Sequence, residues 1–228
     1  MIPIRDTAPC YTKPYVSWAL IFICSSLFVL LEVSPERYHR YVIYIYGMVP
    51  ARYTNPEWAV AMGYPADYYL SFLTNLFLHG GWIHLIMNMW FIWIFADNVE
   101  DRMGHGQFIV FYLLCGLIAT FVQWQYTPEV VNPVVGASGA IAGVLAAYFF
   151  LYPYAKIVLW VPILLLPIFI EIPAVAFIGV WVIFQMQNAS TAALFYGGAT
   201  DVALWAHLGG FLAGIVLFRF FLRKDYPE

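Results

Sequence analysis

The chain has 228 residues, 63% of them hydrophobic, 20% aromatic and only 10% charged, with a net charge of −3. A soluble domain carries about a quarter charged residues, so there is too little polar surface here to cover a water-facing globule, and the solvent is lipid. The small net charge, with no basic patch, argues against nucleic acid as a partner, and Cys10, Cys24 and Cys115 imply neither a disulfide framework nor a metal cluster.

In chain order, a span of about twenty apolar residues first fits 15–33. Arg5 and Lys13 precede it, but no small-residue cleavage site follows it, so it reads as a retained span rather than a signal peptide. The connection 34–76 is broken by Pro35, Pro50, Pro56 and Pro65. Its content of Tyr38, Tyr41, Tyr44, Tyr46, Trp58, Tyr68 and Tyr69 is that of an interfacial segment. A second span fits 81–96 and ends at a charged stop of Asp97, Glu100, Asp101 and Arg102. A third fits 108–126 and a fourth 134–152, which stops at Pro153. The apolar stretch 157–184 is too long for one span and contains Pro162, Pro167, Glu171 and Pro173. Its first part is expected to be an interfacial excursion with Glu171 solvated, and its second part a fifth span over 172–187. The sixth span fits 199–222. With both ends inside, one side collects Arg5, Lys13, Arg102, Lys156, Arg219, Arg223 and Lys224; the other gets only Arg37, Arg40 and Arg52.

Spans two, four and six run in the same direction, so their starts share one leaflet. His84, Ser138 and His207 therefore come to similar depths at a rise of about 1.5 Å per residue. Gly139 and Gly143 on span four, and Ala206, Gly210 and Gly214 on span six, repeat every four residues, which lets helix backbones approach closely in lipid. A serine and an imidazole need such closeness, about 2.6–3.2 Å, for proton transfer. Taken singly, a Gly-Ala-Ser-Gly motif is more often packing, and an intramembrane histidine a polar contact or part of an ion path. Together, at one depth, they favour a nucleophile and its base. His84 and Asn88 share a helix face and carry donors suited to an oxyanion. For His79 the plainer reading is an interfacial histidine bonded to backbone. Three histidines could also meet around a metal, but there is no HExxH pattern and no carboxylate at ligand spacing. Asp97, Glu100 and Asp101 read as structural, and Asp201 as a favourable charge at a helix N-terminus. None of these acids is placed as a third member, so the reading is a Ser–His dyad with no cofactor and no metal.

Four ordered motifs resemble the rhomboid family of intramembrane serine proteases: Gly136-Ala137-Ser138-Gly139, Ala206-His207-x2-Gly210-x3-Gly214, His79-x4-His84-x3-Asn88 and Glu100-x3-Gly104. The resemblance implies an all-α polytopic fold of six transmembrane helices with a long interfacial loop between the first two. It implies Ser138 as nucleophile, His207 as base, and His84 and Asn88 with the Ser138 N–H as oxyanion donors. His79, Gly136, Gly139, Gly210 and Gly214 match supporting positions. Some members place a tyrosine one turn after the serine, stacked on the base; here that position is Ala142. The expected organisation is a cytoplasmic segment 1–14, a membrane protease domain 15–222 and a cytoplasmic tail 223–228, in a plasma membrane, acting on single-span membrane proteins. Two other classes compete with it. A non-catalytic rhomboid-like client binder is disfavoured by retention of Ser138 and His207, and a transporter by the absence of a visible inverted repeat.

Overall fold

The structure is a computed structural model that describes residues 2–65, 68–163, 166–195 and 203–226. In chain order it contains β1 (Ile2–Asp6), α1 (Tyr15–Glu32), α2 (Glu36–Tyr46), α3 (Pro50–Thr54), α4 (Pro56–Ala61) and α5 (Ser71–Thr74). Helix α6 (Trp82–Phe91) passes through a π-helical turn, Ile92–Ala96, into α7 (Asp97–Met103). Then come α8 (His105–Tyr126), α9 (Ser138–Leu151), β2 (Lys156–Ile163), β3 (Leu166–Pro173), α10 (Ala174–Phe195) and α11 (Leu204–Leu217). Among the described residues, Tyr15–Glu32, His105–Tyr126 and Leu204–Phe221 are long and apolar enough to cross a bilayer. A fourth span results if Ser71–Phe77 and Trp82–Met103, bent by 89°, count as one; Ser138–Leu151 and Ala174–Gln187 are shorter apolar helices. The chain is a mostly helical integral membrane protein.

Helix α9 is the axis of the bundle. Every residue from Gly139 to Tyr148 is buried, which an unsegregated run of apolar and small side chains permits because no face needs water. It packs on α8 and α11. The contact with α11 is made backbone to backbone. A Cβ on Gly210 would fall on the Gly139 carbonyl, and one on Gly214 on the Gly143 carbonyl. Close approach of this kind replaces the hydrophobic drive that helices lack in lipid. Helix α1 lies outside, with Phe22, Val29 and Leu30 exposed, a lipid-facing surface.

Both ends of the chain meet α7 at one end of the bundle. The Asp101 carboxylate accepts the Tyr11 and Thr12 N–H groups at 2.8 and 2.9 Å and the Tyr226 hydroxyl at 2.8 Å. Its neighbour Glu100, fully buried, accepts Val16 N–H, Ser17 N–H and Ser17 Oγ–H at 2.6–2.9 Å. A carboxylate thereby satisfies orphan donors at the start of α1. Glu100 and Asp101 are thus structural, as staples between the terminal segments and the core.

Two expectations are corrected. The chain is not all-α, because β1, β2 and β3 form an antiparallel sheet in that order, Ile2 facing Trp160 and Lys156 facing Pro173. The stretch expected as an interfacial excursion is this hairpin. Its β-branched and aromatic residues fit a pleated surface, while Pro162 and Pro167, facing each other near its tip, oppose a helix. Glu171 lies half-exposed and bonds Lys156 at 2.7 Å. The connection 34–76 folds into the short helices α2 to α5. It is pinned by buried Arg52, which donates to the Ile45 and Pro65 carbonyls and lies over the rings of Tyr53, Tyr64 and Tyr68.

Candidate active site

The site forms at the end of the bundle away from the termini, where α9 and α11 begin. Ser138 is the first residue of α9, so its N–H is one of the first-turn donors that no intrahelical carbonyl can accept. The loop that delivers it is held by Gly136 N–H donating to the Asn75 carbonyl at 2.9 Å. The Asn75 amide in turn donates to Ser71 O, Phe72 O and Thr120 Oγ1. Gly136 has φ +130°, a backbone region open to glycine, and a Cβ there would stand 2.7 Å from the His84 ring. The sequence thus needs glycine at 136 twice, for its dihedral and for the imidazole beside it.

His207 lies in the first turn of α11, buried to 8% exposure. Its depth is fixed by Gln123 on α8, whose side-chain oxygen accepts the Ala206 N–H at 3.0 Å and whose amide donates to Thr127 Oγ1. The imidazole is engaged at both nitrogens. Nε2 lies 2.8 Å from Ser138 Oγ, and Nδ1 lies 2.8 Å from Oε1 of Gln185 on α10. The Trp181 ring, one turn before Gln185, lies 5.9 Å from the imidazole centroid.

The remaining expected residues surround this pair. His84 and Asn88 border Gly136, the Asn88 Nδ2 being 3.7 Å from where a Gly136 Cβ would stand. Asn88 is buried, and its Nδ2 has no hydrogen-bond partner among the described residues, a donor that an incoming oxygen would satisfy. His79 is buried behind His84, ring centroids 5.2 Å apart, with neither ring nitrogen hydrogen-bonded to a described residue. It backs His84 and makes no bond to the serine–histidine pair. Gly139 and Gly210 lock α9 to α11 beside Ser138, and Gly214 does so one turn deeper. Asp201 lies outside the described residues.

Sequence reasoning missed Gln185, Trp181, Gln123 and Asn75. A signal existed for Gln185: it is a polar residue inside an apolar run, and such a residue turns toward protein rather than lipid. Chemically, the arrangement offers a hydroxyl, an imidazole in proton-transfer reach of it, and unpaired donors beside it, the constellation of acyl transfer.

The chain is similar in sequence to known proteins. The Rhomboid domain pattern matches residues 66–224. The chain is 32% identical over 162 residues to Rhomboid protein 1, mitochondrial, of Saccharomyces cerevisiae, covering 68% of this chain and 42% of that protein. Identity is 32% over 154 residues with Presenilin-associated rhomboid-like protein A, mitochondrial, of Danio rerio, covering 64% and 36%. It is 33% over 165 residues with Rhomboid-like protein 11, chloroplastic, of Arabidopsis thaliana, covering 68% and 52%. The chain therefore spans between about a third and a half of the length of these relatives.

Proposed function

Because the chain belongs to the rhomboid family, we propose that it is an intramembrane serine endopeptidase that cleaves single-span membrane proteins in or near their transmembrane segments. The observation that carries this reading is the 2.8 Å contact between His207 Nε2 and Ser138 Oγ. Ser138 Oγ attacks the scissile carbonyl carbon as His207 Nε2 takes its proton. The oxyanion is held by the Asn88 amide, the His84 ring and the Ser138 N–H. His207 then protonates the leaving amine, an acyl-enzyme remains on Ser138, and water activated by the same imidazole releases it. In this reading, that water reaches Ser138 past the polar side chains clustered near one end of the bundle.

The proposed topology has six spans, counting Ser138–Leu151 and Ala174–Gln187 as short ones beside the longer helices. It is supported by the meeting of both termini with α7 at one end, where Lys13, Arg102, Arg223 and Lys156 also gather. The termini are cytoplasmic in this reading, and the membrane is a plasma membrane; the relatives above are named for mitochondria and a chloroplast, so membrane fractionation of the native protein decides the compartment. Purified protein is expected to cleave a model single-span substrate and to label with a fluorophosphonate, while Ser138→Ala and His207→Ala do neither. Undiminished cleavage by either variant refutes the dyad. Client binding without labelling of the wild type moves the protein to a non-catalytic binder.

A further inference from the structure

We propose that Gln185 is a positioning residue for the base: its side-chain carbonyl holds His207 in the tautomer that carries hydrogen on Nδ1, leaving the Nε2 lone pair for the Ser138 proton. The inference rests on the protease reading above and gives α10 a part in the chemistry.

A neutral imidazole has one N–H donor and one acceptor nitrogen. Which nitrogen carries the hydrogen is decided by the partner of the other. A carbonyl oxygen can only accept, so the 2.8 Å contact from Gln185 Oε1 places the hydrogen on Nδ1. The opposite tautomer would present an N–H to Ser138 Oγ, and a base so occupied cannot take a proton. Nothing else among the described residues is hydrogen-bonded to Nδ1, and the position one turn after Ser138 is Ala142, a buried methyl with no ring.

The support is built as two rungs between α10 and α11. Gln185 and Trp181 are one turn apart on α10; His207 and Phe211 are one turn apart on α11, so each pair shares a face. The polar rung joins Gln185 to His207. The apolar rung puts Trp181 within 5.9 Å of His207 and 6.3 Å of Phe211, centroid to centroid. Packing at the lower rung fixes the helix spacing that the single amide bond needs. Ile183 and Phe184, just before Gln185, are exposed on the lipid side, so the half-buried amide faces the bundle. An amide also differs from a carboxylate in the same place. It fixes orientation and accepts from the imidazolium formed in the transition state, but adds no charge to neutralise it. The base is consequently in register only while α10 stays against α11.

The test compares the wild type with Gln185→Met, an apolar side chain of similar length, and Gln185→Glu, which keeps an acceptor. Ser138→Ala is carried in parallel. With the full-length protein in detergent, Gln185→Met is expected to lose about tenfold in kcat, the worth of one hydrogen bond, with KM unchanged. Fluorophosphonate labelling should slow in parallel. Gln185→Glu is expected to recover most of kcat and to move the acid limb of the pH–rate profile to higher pH, because a carboxylate favours imidazolium. Nitrogen-15 NMR of labelled histidine should report hydrogen on His207 Nδ1 in the wild type and a mixture of tautomers in Gln185→Met. Wild-type kcat and pH profile in Gln185→Met overturn the proposal, as does an equal loss in Gln185→Met and Gln185→Glu with an unmoved acid limb, which marks a packing role. If Ser138→Ala cleaves as the wild type does, the protease reading fails instead, and the NMR tautomer measurement still decides the proposal.

Discussion

Substituting alanine at Gly210 adds one methyl at the tightest point of the α9–α11 contact. The new Cβ would fall on the Gly139 carbonyl, 2.8 Å from its carbon, and 3.4 Å from the Ala119 Cβ. Carbon atoms settle at about 3.5–4.0 Å, so α9 and α11 must part by roughly 1 Å. Ala119 of α8 crowds the same junction, because a Cβ at Gly139 would stand 2.6 Å from it and 3.5 Å from the Ala206 carbonyl, so three helices meet where the methyl must fit. Overpacking of this kind costs about 1–3 kcal/mol. The separation also falls between Gly139, next to Ser138, and His207, three residues before Gly210. A displacement near 1 Å at reacting groups lowers rates about 100-fold. Gly179→Ala on α10 is the control: nothing lies within 4 Å of its added methyl, and helix propensity should gain it about 1 kcal/mol. The assay pairs thermal unfolding in detergent with the rate of fluorophosphonate labelling. Gly210→Ala that unfolds and labels like the wild type refutes the reasoning, and so does an equal loss in Gly179→Ala.

Glu100→Ala leaves Val16 N–H, Ser17 N–H and the Ser17 hydroxyl without their acceptor and should destabilise by about 3 kcal/mol, seen as a lowered unfolding temperature and early proteolysis ahead of α1. Gly136→Ala forces a side chain to adopt φ +130° and presses a methyl on His84; labelling should fall by at least about tenfold, from strain of roughly 1–2 kcal/mol, and a wild-type rate would contradict the placement of His84. Burial pushes the Asp6 carboxyl above its ordinary 3.8, although the Tyr148 hydroxyl donates to it and opposes the shift. The folded state then binds this proton more tightly than the unfolded state, so Asp6 lowers stability as pH rises from 3.8 through the raised value. Asp6→Asn should flatten that part of the stability–pH curve, and an unchanged slope would show that Asp6 is not its source.

Composition and motif order carried the reading a long way. Ten per cent charged residues left lipid as the solvent, and the four-residue spacing of Gly139 and Gly143 against Gly210 and Gly214 already marked the seam that brings serine and histidine together. The sheet was hidden because apolar runs without clear alternation fit a buried strand or a helix equally well, and because the pairing of β1 with β2 joins residues more than 150 positions apart. Gln185 was hidden for a related reason: an isolated polar residue in a span says that it has a partner, not which one.

By itself, the sequence determined the medium, the run of apolar segments and which side chains are candidates for the site, since hydrophobicity and functional groups are local properties of each residue. Only the tertiary structure decided that Glu100 and Asp101 staple the termini, that His79 stands behind His84, and that α10 supplies the partner of His207 Nδ1. Hydrogen bonds demand a few tenths of an ångström and a direction. Those are set by how helices distant in sequence pack against one another, which spacing along any single helix does not contain.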